Sequence, residues 1–144
     1  MIGTRGVIAV LVVALSASAV RAQPVLTDWA GTWSAGEEQE ISIVANKKSL
    51  GIEGFATWGA SDPERVERGG VNVGEFSVTV PRSWIEDNRL VFIAGDEGAE
   101  PVGMVADDYA CLIEMMLDGE VLRVGDNMMC GGMNVTFSGE YRRE

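Results

Sequence analysis

The sequence predicts an all-β fold: a small antiparallel barrel of about eight strands with one disulfide, preceded by a signal peptide. Three observations predict it. Apolar and polar residues alternate at period two in segment after segment, no stretch beyond residue 22 carries a sustained helical stripe, and the chain has two cysteines that allow one pairing.

The first 22 residues carry Arg5, an apolar run from Val7 to Ala19, and Val20-Arg21-Ala22 ahead of Gln23-Pro24. That run is shorter than the roughly 20 residues a membrane-spanning helix needs, and Val20 and Ala22 suit a signal peptidase, so cleavage is expected after Ala22. No cysteine follows the run to take a lipid anchor. The expectation is a periplasmic or secreted protein with no stable membrane insertion, whose residues 23–144 form a single β-barrel domain. Of 11 basic and 22 acidic side chains, cleavage removes only Arg5 and Arg21, leaving nine against 22, a net of −13. Such a surface repels nucleic acid and attracts cationic partners.

The strands are expected in order. Trp29 to Ser34 opens the sheet. Ile41, Ile43 and Ala45 alternate with Glu40, Ser42 and Val44, and Asn46-Lys47-Lys48 turns the chain into Leu50, Ile52, Ala56 and Trp58. Ala60 to Arg68, with Pro63 near its start, reads as a turn of helix. Phe76, Val78 and Val80 form the next strand, and Leu90 to Ile93 a shorter one. The acidic stretch from Gly95 to Asp108 reads as a solvated connection. Cys111, Ile113, Met115 and Leu117 alternate in a strand that Asp118-Gly119 turns into Val121 to Val124. Val135, Phe137, Gly139 and Tyr141 form the last strand, which pairs with the first and removes the exposed edges. Inward residues such as Ile41, Ile43, Leu50, Ile52, Ile113, Met115 and Phe137 are large, which predicts a packed interior rather than a lipid cavity.

In an exported chain Cys111 and Cys130 are expected to be bridged, which stabilises by roughly 3 kcal/mol. The absence of any His excludes Ser-His-Asp and Cys-His catalysis and His-based metal sites. The acidic residues offer no distinctive catalytic pair, and neither Asp107-Asp108 nor Asp126-Asn127 has calcium-loop spacing. No enzyme, cofactor or metal is expected.

The C-terminal cluster from Gly125 to Arg143 is unusual in composition. Gly131-Gly132 is expected to permit a positive-φ turn, and Gly139 to leave room for Trp29 or Trp33. Asn134-Val135-Thr136 matches a glycosylation sequon, relevant in a eukaryotic host. Trp29-Ala30-Gly31-Thr32-Trp33 resembles the Gly-x-Trp opening of lipocalin-like barrels, in which a Trp plugs one barrel end under a late Arg; the resemblance implies barrel closure by Trp29, Gly31, Trp33 and Arg142, or Arg143. The tail Cys-Gly-Gly-Met-Asn-Val-Thr-Phe-Ser-Gly-Glu-Tyr resembles the ending of a group of small exported proteobacterial β-barrel proteins, some associated with lysozyme-inhibitor domains. Within it, Ser138-Gly139-Glu140-Tyr141 is similar to the Ser-Gly-x-Tyr motif that periplasmic lysozyme inhibitors insert into the lysozyme cleft, which implies partner contacts through Ser138, Gly139 and Tyr141. The function expected is that of an exported, non-enzymatic binding protein of the cell envelope, its partner a cationic protein such as a lysozyme. The alternatives are a lysozyme inhibitor, a structural envelope protein and a carrier of small apolar ligands.

Overall fold

The computed structural model describes residues 24–103 and 108–144; the signal-peptide reading of residues 1–22 and Asp107 lie outside the described residues. A short helix, α1 (Leu26–Trp29), leads into nine strands: β1 (Gly31–Ser34), β2 (Gln39–Ala45), β3 (Ser49–Trp58), β4 (Asn72–Pro81), β5 (Arg89–Gly95), β6 (Gly98–Glu100), β7 (Cys111–Asp118), β8 (Val121–Asp126) and β9 (Gly139–Arg143). Helix α2 (Pro63–Glu67) links β3 to β4, and one 3₁₀ turn (Arg82–Trp84) links β4 to β5.

All ladders are antiparallel, in the order β4-β3-β2-β1-β9-β8-β7-β5-β6. First and last strands pair, with Trp33 opposite Arg143 and Ser34 opposite Arg142. The two ends of the sheet, β4 and the β5–β6 hairpin, lie against each other without a ladder among the described residues. The result is a nearly closed barrel with one seam, built from eight main strands and the three-residue β6.

Local chemistry explains the turns. The Asn46 amide donates to Ser49 O at 2.9 Å and closes the β2–β3 hairpin. Between Asp118 and Val121, which are directly paired, Gly119 is the first of two central residues and holds φ +60°, the place a two-residue hairpin of type II′ reserves for glycine. Helix α2 starts where Asp62 accepts the Glu64 amide at 3.0 Å and Pro63 supplies a preset φ.

Three expectations are corrected. Trp29 sits in α1, not in the first strand: the Asp28 carboxylate accepts the Val25 amide at 2.9 Å and winds one turn too short to show a period. The stretch after Gly95 is not all solvated connection, because β6 doubles back on β5 with Ala94 opposite Ala99; backbone pairing makes this hairpin without apolar alternation. The last strand begins at Gly139, and residues 135–138 form no ladder, with Val135 and Phe137 fully buried and Ser138 exposed.

Period two governs burial on the long strands. Ile41, Leu50, Ile52, Ile113, Met115 and Phe137 have no exposed surface and Ile43 has 3 %. They pack with Trp29, Trp33, Leu90, Phe92, Leu122 and Tyr141 in one core. Phe76 stands edge-on to Phe137 at 4.9 Å between ring centroids and 6.0 Å from Phe92, tying β4 to the far wall.

Candidate functional site

One end of the barrel is plugged by tryptophan. Trp29 and Trp33 are fully buried, and Trp33 Nε1–H donates to Trp29 O at 2.9 Å. The guanidinium over the Trp33 ring, 4.4 Å from its centroid, belongs to Arg143, which also donates to Ala30 O at 3.2 Å and to Asp28 O. Arg142, the other candidate for this place, points the opposite way: strand alternation puts Arg143 on the side of buried Tyr141 and leaves Arg142 exposed. Gly31, at φ +139°, makes room for the Arg143 stem, since a Cβ there would lie 3.2 Å from Nε.

The other end is closed by the segment from residue 127 to 138. Cys130 is bonded to Cys111 at the start of β7, so the expected disulfide is present. Beyond it the segment reaches across the seam to the start of β4: Gly132 N–H donates to Val73 O at 3.0 Å, and Asn72 Nδ2 donates to Met133 O at 2.7 Å. Here Gly131 and Gly74 meet backbone to backbone, and a Cβ on Gly131 would stand 2.5 Å from Gly74 Cα. Gly131-Gly132 is therefore needed for close approach and not for a positive φ, which is instead adopted by Met128 (63°) and Asn134 (68°).

The tail motif is built into this closure. Tyr141 has no exposed surface and donates to Phe137 O at 2.8 Å; burial, with the charge of Asp126 behind it, pushes its hydroxyl pKa up. Ser138 Oγ donates to Asp126 Oδ1 at 2.9 Å and accepts the Asp126 amide at 2.9 Å. The same carboxylate accepts Thr136 Oγ1 at 2.7 Å and the Phe137 amide at 2.8 Å. Gly139 makes room for neither tryptophan; Gln39 fills the space, its Nε2 donating to Thr136 O at 2.8 Å and Ser138 O at 3.0 Å. Asn134 of the sequon lies in this loop and not in a strand.

Outside the barrel, beside the seam, lies a depression of ≈ 750 Å³ that was not anticipated from the sequence. The outward positions of β2, β3 and β4 form two cross-strand rows, Glu40–Phe55–Glu75 and Ser42–Glu53–Ser77, and Asp96 at the tip of the β5–β6 hairpin faces them. Directly opposite side chains in such rows have Cβ atoms about 5 Å apart. Phe55 is 49 % exposed between its two glutamates. No Lys or Arg lines the depression, and among the described residues none of the four carboxylates has an ion pair. The floor is firm, because Phe76 packs across Gly54, where a Cβ would stand 2.2 Å from its ring. The outward positions were legible as the polar half of each alternation; their convergence depended on register.

Glu38 marks a second feature, the corner between β3 and α2. Its carboxylate accepts the Ala60 amide at 2.6 Å, the Ser61 amide at 3.4 Å and Thr57 Oγ1 at 3.3 Å. Burial alone pushes its pKa up, but these bonds together outweigh it and hold the group below its ordinary value of 4.5. A carboxyl lowered by folding stabilises above that value and loses the contribution as pH falls through the folded pKa. The protection of the Ala60 amide, measured against its intrinsic exchange rate at each pH, is accordingly expected to fall on acidification below the ordinary carboxylate range, and Glu38→Gln to remove that pH dependence.

No protein-family model, no curated protein and no solved structure matches this chain.

Proposed function

We propose that the protein is an exported, non-enzymatic binding protein of the cell envelope, and that its partner is a cationic protein docked on the acidic outer face of β2, β3 and β4. The observation that carries this reading is the depression beside the seam, where Glu40, Glu53, Glu75 and Asp96 surround an exposed aromatic ring without a neutralising cation. Like charges on neighbouring strands work against folding, and a basic partner would relieve that repulsion while the field of a domain at net −13 speeds its approach. The core supports the choice of an outer surface over an apolar-ligand carrier, since Trp29, Trp33, Phe92, Phe137 and Tyr141 fill the interior with no exposed area. The buried Tyr141 and the bonded Ser138 hydroxyl also leave the tail motif committed to the fold, so docking is not routed through it.

The test is to immobilise the protein and present c-type, g-type and i-type lysozymes as basic probes beside an acidic control protein, at low and at high salt, with muramidase activity followed in parallel. Binding of basic probes that weakens with salt is expected. Glu40→Gln, Glu53→Gln and Glu75→Gln combined should weaken it about tenfold, each exposed pair contributing about 0.5 kcal/mol. Absence of binding to every basic probe at micromolar protein and low salt would overturn the reading, and unchanged affinity in the triple variant would overturn the site.

A further inference from the structure

The sheet is left open along the outer edge of β4. In an antiparallel ladder the residues of a strand turn their N–H and C=O groups alternately to one neighbour and to the other. Two hydrogen bonds fix the phase here. Thr57, opposite Val73, donates its N–H away from β4 to Glu38 O at 2.9 Å, and Val73 O accepts the Gly132 N–H at 3.0 Å from the seam side. The β3–β4 register then runs residue for residue from Thr57–Val73 to Ser49–Pro81. Glu75, Ser77 and Thr79 therefore turn their backbone N–H and C=O groups to the seam, and among the described residues none of these groups has a hydrogen bond on that side. An edge with a row of unpaired backbone groups is a template for a further strand.

The core is thinnest along the same edge. Leu50 and Ile52 on β3 have no exposed surface, whereas Phe76 and Val78, the inward residues between the three unpaired ones, keep 9 % and 5 %. The element facing this edge is lightly held: β6 joins β5 through three residue pairs, Ile93–Glu100, Ala94–Ala99 and Gly95–Gly98, and has no ladder with β4 among the described residues. On the outer face, the row Glu40–Phe55–Glu75 stops at the seam, with Asp96 beyond it. A residue on an added strand would become the next member of that row, with its Cβ about 5 Å from that of Glu75. Lys or Arg suits that place and an acidic side chain does not.

We propose that the cationic partner docks by strand addition: an extended segment, alternating Lys or Arg with apolar residues, pairs backbone to backbone with β4 at Glu75, Ser77 and Thr79, the β5–β6 hairpin moving aside to admit it. The inference rests on the reading of the acidic outer face as the docking surface and supplies the conformation and pattern of what docks there. The basic side chains of the segment extend the glutamate row, and its apolar side chains point inward beside Phe76 and Val78, where cover is incomplete. Backbone pairing gives affinity in such complexes, and the alternate side chains give specificity. A second copy of the chain fits poorly, because pairing two β4 edges sets Glu75 of each copy in a strongly acidic surround.

The experiment uses the disulfide-intact protein labelled with nitrogen-15, and three soluble peptides of the same composition at low salt. One alternates Lys and Val, one carries Lys and Val in separate blocks, and one alternates them with its backbone amides N-methylated. The plain alternating peptide is expected to bind, and the other two to bind at least about tenfold more weakly, although all three carry the same charge. On binding, amide exchange should slow at Glu75, Ser77 and Thr79. Ser77→Pro removes the central seam-facing N–H and leaves the β3–β4 hydrogen bonds in place, as edge strands allow; it should weaken the alternating peptide about tenfold with the circular dichroism unchanged. The N-methylated peptide tests the same contact on the unaltered protein. Equal binding of the plain and N-methylated peptides, or a complex in which those three amides exchange as before, would overturn strand addition. Binding of basic lysozymes without binding of the alternating peptide would overturn it too and leave the acidic docking face standing, whereas no binding by either would overturn both.

Discussion

Trp33→Ala is expected to lower stability by about 3–5 kcal/mol, a large part of what holds a domain of this size together. Three separate losses converge at that position. The indole leaves a cavity in a site with no exposed surface, Trp29 O loses the donor it has at 2.9 Å, and Arg143 loses the ring beneath its guanidinium. Trp33→Phe should cost less, because a ring still occupies most of the barrel end; the hydrogen bond, worth about 1 kcal/mol, and the volume the smaller ring leaves empty are what is given up. Denaturant unfolding followed by circular dichroism measures both. Arg143→Ala provides the third corner of a double-mutant cycle, and a coupling of about 0.5–1 kcal/mol with Trp33 is expected for a partly exposed cation over a buried ring. Arg142→Ala should be close to neutral, as its side chain is exposed on the outer side of β9.

Breaking the disulfide is the second large effect. Replacing Cys111 and Cys130 together by alanine should cost about 3 kcal/mol, since a bond joining residues 19 apart limits the unfolded chain, and should lower the melting temperature by about 10 °C. The folded state should respond locally as well. The bridge holds the loop that crosses from β7 to the start of β4, so its loss frees the Gly131–Gly74 contact that closes this end of the seam. Amide exchange should accelerate at Gly132, whose donor contact with Val73 O depends on that closure, while the paired centres of β2 and β3 stay protected. A variant that melted lower with no change in exchange at the seam would limit the bridge to its effect on the unfolded chain.

Period-two alternation was enough to locate β2, β3, β4 and β7, because each of these long strands has one face against the core and one against water, whereas β5 and β8 were legible as short apolar runs bounded by turn residues. The hairpins at Asn46 and Gly119 were legible for a related reason: tight turns make local demands that few residues meet. Elements that take their reason from elsewhere in the chain were not. Helix α1 is one turn long, β6 is held by backbone pairing alone, and residues 135–138 read as strand although Asp126, twelve residues before Ser138, holds them out of the ladder with hydrogen bonds to its carboxylate and amide. Gly131 looks like a turn glycine until Gly74 is found beneath it.

By itself, then, the sequence determined an all-β barrel, the residues that fill it, the pairing of its first and last strands and the one disulfide it can make, all consequences of local pattern and of counting. The tertiary structure decided which arginine covers Trp33, that Tyr141 and Ser138 belong to the closure, and that Glu40, Phe55 and Glu75 stand in one row beside an open seam. The reason is physical: alternation reports which side of a strand is wet, but which wet residues become neighbours is set by register between strands far apart in the chain.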